Sequence, residues 1–327
     1  MNPMPYLRLM RPANLVTAVA DILAGFAAAS SALFVIPLVV EETGLLNSVH
    51  LSASVKNLLL LSLSTMGLYG GGVVFNDVFD AELDAAERPE RFIPSGKVSK
   101  ENAAVLGIYL TVAGIVLAFL VSVTSGLIAL VVAILAIGYD KWGKHTPLGP
   151  VNMGLCRGGN LLLGASGSVA VQSWTVHPAT VALPPYLATP IQDFWPLALI
   201  PVAYIAAITT ISRGEVHGGN KNAFYLAFGL YGLVILAIAG LSRMSPFPIW
   251  QSLPFLALFA FLIFPSLIRA YRDRQPRHIG LAVKAGVIAL IAMDAAIAAT
   301  FAGWVYGLAV LALLPLSRLL AKAFAVT

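Results

Sequence analysis

Charge is scarce in this sequence. Asp, Glu, Lys and Arg make up 11% of its 327 residues, under half the share of about 25% found in ordinary soluble domains. With hydrophobic residues at 59% and a mean hydropathy of +0.87, the chain has too little polar surface to cover a water-exposed globule, which excludes a soluble enzyme. Cysteine is nearly absent: Cys156 stands alone, so an intrachain disulfide framework is impossible, and no CxxC or Cys/His spacing supports a structural zinc site. The sequence also lacks a repeat of fixed period, a low-complexity tract and a linker long enough to divide domains, so 1–327 reads as a single membrane domain. No inverted repeat is visible, which speaks against a coupled transporter built on Asp21 and Asp294. No small-x-small cleavage site follows the apolar run behind Arg8 and Arg11, so that run reads as a retained first helix and not as a signal peptide.

What is present is a series of long apolar segments. A spanning helix needs about 20 apolar residues, and cores fall near 14–38, 56–76, 102–121, 124–140, 150–171, 194–211, 222–241, 253–270, 280–300 and 303–321. The expected fold is therefore all-α, a polytopic bundle of nine to ten transmembrane helices with loops capping the cytoplasmic side. Gly and Pro recur inside these segments, which a lipid-embedded bundle tolerates because neighbouring helices satisfy the freed backbone groups. The distribution of Lys and Arg tests the count independently. With a cytoplasmic N-terminus, all but Lys56 and Arg243 of the 20 basic residues collect on one side, while Glu41, Glu42 and Asp193 lie on the other. A nine-span version would strand Arg318 and Lys322 on the poor side, which favours ten. The net charge of +5 calls for no nucleic-acid partner, because loops facing anionic lipid are ordinarily basic.

Chemistry is concentrated where the second apolar segment ends, in Asn76-Asp77-Val78-Phe79-Asp80-Ala81-Glu82-Leu83-Asp84. Helical continuation places Asp77, Asp80 and Asp84 on one face. Like charges about 6 Å apart repel by roughly 2–3 kcal/mol per pair at an effective dielectric of about 20, a repulsion relieved by protonation or by a cation between them. Magnesium, which takes one or two carboxylates together with waters and substrate phosphate oxygens, answers that need. Asn76 can orient a ligand or water without adding charge. For an isolated DxxxD the plainer interpretation is a solvated helix end. Here the acids are followed by Arg88-Pro89-Glu90-Arg91-Phe92-Ile93-Pro94-Ser95-Gly96-Lys97, a Pro/Gly-broken loop whose bases suit a diphosphate.

The segment NDVFDAELDAAERPERFIPSGKVS resembles the first signature of the UbiA superfamily of intramembrane prenyltransferases, NDxxDxxxD followed by a loop ending RPxPSG. Arg11-Pro12-Ala13-Asn14-Leu15 is similar to the RPxNL opening of that family's first helix, and Tyr139-Asp140-Lys141-Trp142-Gly143-Lys144-His145-Thr146-Pro147-Leu148-Gly149 to its YSxxxKRxTxxG loop. The resemblance implies Mg2+ held by two acidic motifs, a polyprenyl diphosphate ionised to an allylic cation, and capture of that cation by an acceptor, often aromatic. On this analogy Asp77, Asp80 and Asp84 form the first metal site with Asn76 assisting. Arg91, Lys144 and Arg213 contact diphosphate, and Tyr139 and Asn14 line the cavity.

Two departures stand out. Phe92 occupies a place where the family usually has Pro. The second acidic motif is reduced to Ser212-Arg213-Gly214-Glu215-Val216-His217-Gly218-Gly219-Asn220-Lys221, with Glu215 as the only carboxylate. Glu215 is expected to complete the metal site, whereas His217 suits softer metals and reads more simply as a loop histidine. The reduced motif leaves open an alternative, a non-catalytic relative that binds or translocates a lipid-like or aromatic small molecule. Arg157 and Asn160 fall where they can reach diphosphate or a lipid headgroup, and Asp21 and Asp294 should face the bundle interior. Trp142, Trp195, Trp250 and Trp304 read as interfacial belt residues. A phosphatidyltransferase of the CDP-alcohol type also uses membrane aspartates, but its DGxxAR stretch is missing. The absence of an Arg- and Ser-rich leader points to a bacterial plasma membrane.

Overall fold

The computed structural model describes residues 3–30, 44–144, 146–168, 191–214, 218–243 and 245–324. Among them the regular structure is entirely helical. A short α1 (Met4–Leu9) leads into α2 (Pro12–Ala29), and α3 (Gly44–Phe79) is followed by a two-turn α4 (Ala81–Glu87). Next come α5 (Lys100–Phe119), α6 (Val123–Gly138), α7 (Gly149–Ser166), α8 (Trp195–Ser212), α9 (Lys221–Leu241) and α10 (Leu253–Asp273). The chain closes with α11 (Pro276–Leu311) and α12 (Leu313–Ala323). Among the described residues eight stretches are long and apolar enough to cross a membrane. The helix α7 is of similar length but more polar, because it carries Arg157 and Asn160 into the bundle.

The last of the eight stretches, Pro276–Ala323, holds two crossings. At Gly303 the backbone takes φ 83°, ψ 167°, a conformation open to glycine and strained for any residue with a Cβ. The chain reverses there. A Cβ built on Gly307 would lie 2.7 Å from that of Ala299, so the returning limb packs on the outgoing one. Further along, Tyr306 donates to the Leu23 carbonyl at 3.3 Å and Ser317 to that of Ala13 at 2.9 Å. The limb therefore runs antiparallel to α2, back to the face on which α2 begins. With its two limbs counted separately and α7 added, the described residues hold ten helical segments, within the nine to ten expected. The parts of the expected first and fifth spans at 31–38 and 169–171 lie outside the described residues, as do Glu41 and Glu42.

The helix α2 is central, packing against α3, α7, α11 and α12. Apolar solvent does not drive helices together, so close packing of small residues must. Gly25 illustrates the requirement: a Cβ there would sit 1.9 Å from the Leu161 carbonyl oxygen of α7, and one at Gly164 would sit 2.3 Å from that of Ile22. Large apolar side chains such as Val105, Ile134, Leu236 and Phe261 face outward, the reverse of a water-soluble protein and the arrangement lipid demands. Trp142, Trp195, Trp250 and Trp304 are exposed as well, consistent with belt positions. Ser99, Ser122 and Asn220 cap α5, α6 and α9 by accepting from the backbone N–H groups of Asn102, Ser125 and Asn222.

Candidate active site

The helix α3 stops at Phe79, yet the backbone keeps helical register through Asp80, whose N–H bonds the Asn76 carbonyl at 3.0 Å while its own carbonyl accepts from Asp84 at 2.8 Å. The three aspartates consequently share one face. Their side chains are 11%, 17% and 7% exposed at Asp77, Asp80 and Asp84, against 93% for neighbouring Glu82. That contrast rules out a solvated helix end: the row points inward.

Each aspartate meets a cation from elsewhere in the chain. Arg11 donates to Asp77 at 2.7 Å. Its backbone, at φ 50° just before Pro12, lies in a region costly for a residue with a side chain. Arg91 bonds Asp84 at 2.7 Å and stands 3.5 Å from Asp77, so one guanidinium bridges two carboxylates. Its loop is held down by Phe92 and Ile93, which pack on Leu9, Val74, Val78, Val98 and Ala103. This anchoring gives the bulky Phe92 a structural place. Lys144 pairs with Asp80. Burial lowers the Lys144 ammonium below the ordinary lysine value.

Lys144 arrives there through a π-helical turn at Tyr139–Gly143, closed by the Lys144 N–H on the Tyr139 carbonyl at 2.9 Å. Such turns shift the facing of the residues that follow. Tyr139 and Asp140 turn into a cavity of about 300 Å³ between α3, α6 and α7, which Asn76 and, just ahead of α2, Arg11 also line. Asn76 donates to Asp140 at 2.8 Å. About 16 Å deeper along α3, at 1.5 Å per residue, Thr65, Arg157 and Asn160 form the floor. Arg157 is buried, donating to Asp21 and to Thr17, both at 2.6 Å, with its guanidinium carbon 5.1 Å from the centre of the Tyr69 ring. Asn160 donates to the same Asp21 oxygen at 2.8 Å and accepts from Thr65 at 2.6 Å. Leu68, Val73, Val132, Ala136 and Met153 make the wall apolar.

The candidate residues thus divide into groups. Asp77, Asp80, Asp84, Arg91 and Lys144 form one ion-paired rim, and Asn76 and Tyr139 line the cavity beside it. Arg157 lies on the cavity floor, and its burial excludes the lipid-headgroup contact. Asp21 and Asp294 are fully buried in the bundle, as expected, but neither lines the cavity. Asn14 is not in the lining; its carbonyl accepts from Thr17 at 2.7 Å. Arg213 is exposed and grips the carbonyls of Thr146 and Lys144, tying the end of α8 to the Lys144 loop. Glu215 and His217 lie outside the described residues. Two members of the site, Arg11 and Asp140, carried no role of their own in the sequence reading. Both lie inside the quoted motifs, and Asp140 is a carboxylate at the end of an apolar helix, which was the available signal.

Among the described residues no three His, Cys, Asp or Glu side chains lie close enough together to hold a metal ion. The donor types nonetheless fit magnesium: buried carboxylate oxygens on one face with an amide beside them, and no soft ligand among them. Arg11, Arg91 and Lys144 already supply positive charge to these acids and could turn it toward an entering anion.

Comparison with known proteins bears on the family and the fold. The sequence profile of the UbiA prenyltransferase family matches residues 22–282. A digeranylgeranylglyceryl phosphate synthase of Ignicoccus hospitalis is 29% identical over 277 residues, 80% of this chain and 77% of that protein. A solved structure described as giving insight into digeranylgeranylglyceryl phosphate synthase in membranes superposes with TM-score 0.59 at 20% identity, covering 91% of this chain and 98% of that one. A UbiA homolog from Archaeoglobus fulgidus, solved bound to DMAPP and Mg2+, gives TM-score 0.56 at 14% identity over 94% of this chain and 99% of that one. At those identities the structures speak for the fold alone.

Proposed function

This chain belongs to the UbiA prenyltransferase family, and we propose that it moves a prenyl group from a polyprenyl diphosphate to the free hydroxyl of a glyceryl phosphate acceptor, with Mg2+ at the Asp77/Asp80/Asp84 rim. It is an integral membrane enzyme of the prenyl-transferring class, so the non-catalytic alternative is set aside. One observation carries the proposal: a largely inward-facing row of three carboxylates, held by Arg11, Arg91 and Lys144 from three separate elements, at the edge of an apolar-walled cavity. Magnesium, when bound, stabilises charge on the departing diphosphate. The protein's part is then to hold and exclude. Asp77, Asp80, Asp84 and, as a further proposed ligand, Glu215 provide oxygen donors. Arg11, Arg91 and Lys144 hold the diphosphate by charge-assisted hydrogen bonds. Tyr139, Leu68, Val73, Val132 and Met153 give the allylic group an apolar, water-poor chamber.

The expected aromatic acceptor finds no support in the relatives, whose name specifies a glyceryl phosphate product. A bacterial plasma membrane is likewise unsupported, since the relatives are of archaeal type. The proposal retains a cytoplasmic N-terminus, because the face that gathers the start of α2 and the ends of α3, α6, α8, α10 and α12 also carries the basic loops, and it treats 1–327 as one catalytic domain. The test is transfer by the folded protein in lipid, with Mg2+, labelled geranylgeranyl diphosphate, and a singly prenylated glyceryl phosphate or an aromatic acid as acceptor. Wild type should prenylate the glyceryl phosphate and release diphosphate, and D77N and D80N should each lose about 100-fold or more, in line with removal of groups that stabilise developing charge. Variants that keep the wild-type rate, or a folded wild type that releases no diphosphate, would defeat the proposal.

A further inference from the structure

We infer that Asp140 receives the acceptor: its carboxylate binds the attacking hydroxyl and takes up its proton as the ether bond forms. The inference rests on the reading above that the acceptor attacks through a hydroxyl. Its basis is the different situation of this acid from the other three. Asp77, Asp80 and Asp84 are each ion-paired, whereas no cationic nitrogen among the described residues lies within 4.0 Å of Asp140. Its one hydrogen-bonding partner there is the Asn76 amide, at 2.8 Å. The residue is only 6% exposed, yet it lines the cavity and is the only carboxylate among the described residues that do so.

A carboxylate has about four lone-pair positions, and Asn76 occupies one. Burial of the remainder beside apolar walls is unfavourable unless a donor comes to meet them. A hydroxyl entering the cavity is such a donor, and its chemistry needs what Asp140 offers. The other polar groups in the lining are poorer proton acceptors: the guanidiniums of Arg11 and Arg157 have only donors, the amides of Asn76 and Asn160 are not bases, and the phenols of Tyr69 and Tyr139, the Thr65 hydroxyl and the Cys156 thiol carry their own protons. In the step, a lone pair on the acceptor oxygen forms a bond to C1 of the prenyl group. The bond from C1 to the diphosphate oxygen breaks, its electron pair leaving on the diphosphate. The O–H electrons stay with the new ether oxygen, and the proton passes to Asp140.

The carboxylate is also this chain's own feature, because the resembling motif YSxxxKRxTxxG places Ser where Asp140 stands. A serine hydroxyl can hydrogen-bond an acceptor but is a poor proton sink at neutral pH. The π-helical turn makes the choice of residue matter, since it aims this position into the cavity and its neighbour Lys144 at Asp80.

The experiment compares wild type, D140N and D140S in lipid with Mg2+ and geranylgeranyl diphosphate. Single-turnover transfer is measured to a singly prenylated glyceryl phosphate and to its analogue bearing a thiol in place of the free hydroxyl. Both variants should bind geranylgeranyl diphosphate within about threefold of wild type and lose about 100-fold in transfer to the hydroxyl, the usual scale for removal of a positioned general base. The thiol, which gives up its proton far more readily, should recover most of that loss. Wild-type rates to the hydroxyl in D140N and D140S would overturn the assignment, and so would an equal loss with hydroxyl and thiol, which marks a structural role. A wild type that transfers to neither acceptor but moves the prenyl group to an aromatic ring, with release of diphosphate, would remove the hydroxyl reading itself, and this inference with it.

Discussion

Replacing Arg91 by Gln removes one charge from between two buried acids and separates the structural from the ligand-binding side of the rim. The Arg91 nitrogen stands 2.7 Å from Asp84 and 3.5 Å from Asp77. At an effective dielectric of about 20 these are gross attractions of about 6 and 5 kcal/mol. Most of that is offset by desolvation of the acids and by water reaching a guanidinium side chain that is 24% exposed, so the net loss in R91Q should be about 1–3 kcal/mol. Gln keeps an amide donor but leaves Asp77 with Arg11 alone and Asp84 with no cation. In metal-free buffer the melting temperature of the detergent-solubilised protein should fall by about 3–8 °C, at a few degrees per kcal/mol for a chain of this size. Millimolar Mg2+ should recover at least half of the fall, since a divalent ion supplies the missing charge to the same carboxylates. The KM for prenyl diphosphate should rise about tenfold, equivalent to about 1.4 kcal/mol. R91K should fall between, because a point charge cannot bridge both acids as a planar fork does. An R91Q protein that melts and binds like wild type, or a melting deficit that Mg2+ leaves untouched, would refute the reasoning.

The deep network makes a separate prediction. D21N leaves the buried Arg157 without its counter-charge and should destabilise the fold by about 3 kcal/mol, while E82Q, on an exposed side chain, should change stability by less than about 0.5 kcal/mol; equal melting temperatures for the two would contradict the burial argument. G25A forces a methyl onto the Leu161 carbonyl, 1.9 Å from the ideal Cβ position, and should cost about 1–3 kcal/mol by prising α2 from α7, whereas G229A, with open space around it, should melt no lower than wild type. Lys144 has its ammonium lowered by burial, so its charge is complete below that lowered value and is lost as pH rises through it. Affinity for prenyl diphosphate should therefore weaken on the alkaline side at a lower pH than an ordinary lysine would set, and K144R, charged throughout, should flatten that limb; an affinity that stays level in wild type up to pH 10 would count against Lys144 as a diphosphate contact.

Much of this protein was legible before any coordinates. Hydropathy and the alternation of Lys and Arg depend only on local composition. They sufficed for an all-helical membrane bundle of about nine to ten helices. The placement of Asp77, Asp80 and Asp84 on one side follows from helical periodicity, which holds even across the break at Phe79 because the hydrogen bonds continue through Asp80. The reversal at Gly303 was likewise foreshadowed by two apolar segments separated by a couple of residues.

Partnership could not be read that way. Arg11 and Asp77 are 66 residues apart, Lys144 and Asp80 64, and Arg157 and Asp21 136, and no local pattern says which helices lie side by side. That was decided by close packing at positions such as Gly25 and Gly164, where backbone meets backbone and neighbouring polar groups are brought within reach. The same packing buried Arg157 instead of presenting it to headgroups. The π-helical turn, a departure from the regular 3.6-residue period, rotated Asp140 into the cavity and made a carboxylate in an overlooked position the one best placed to meet an acceptor.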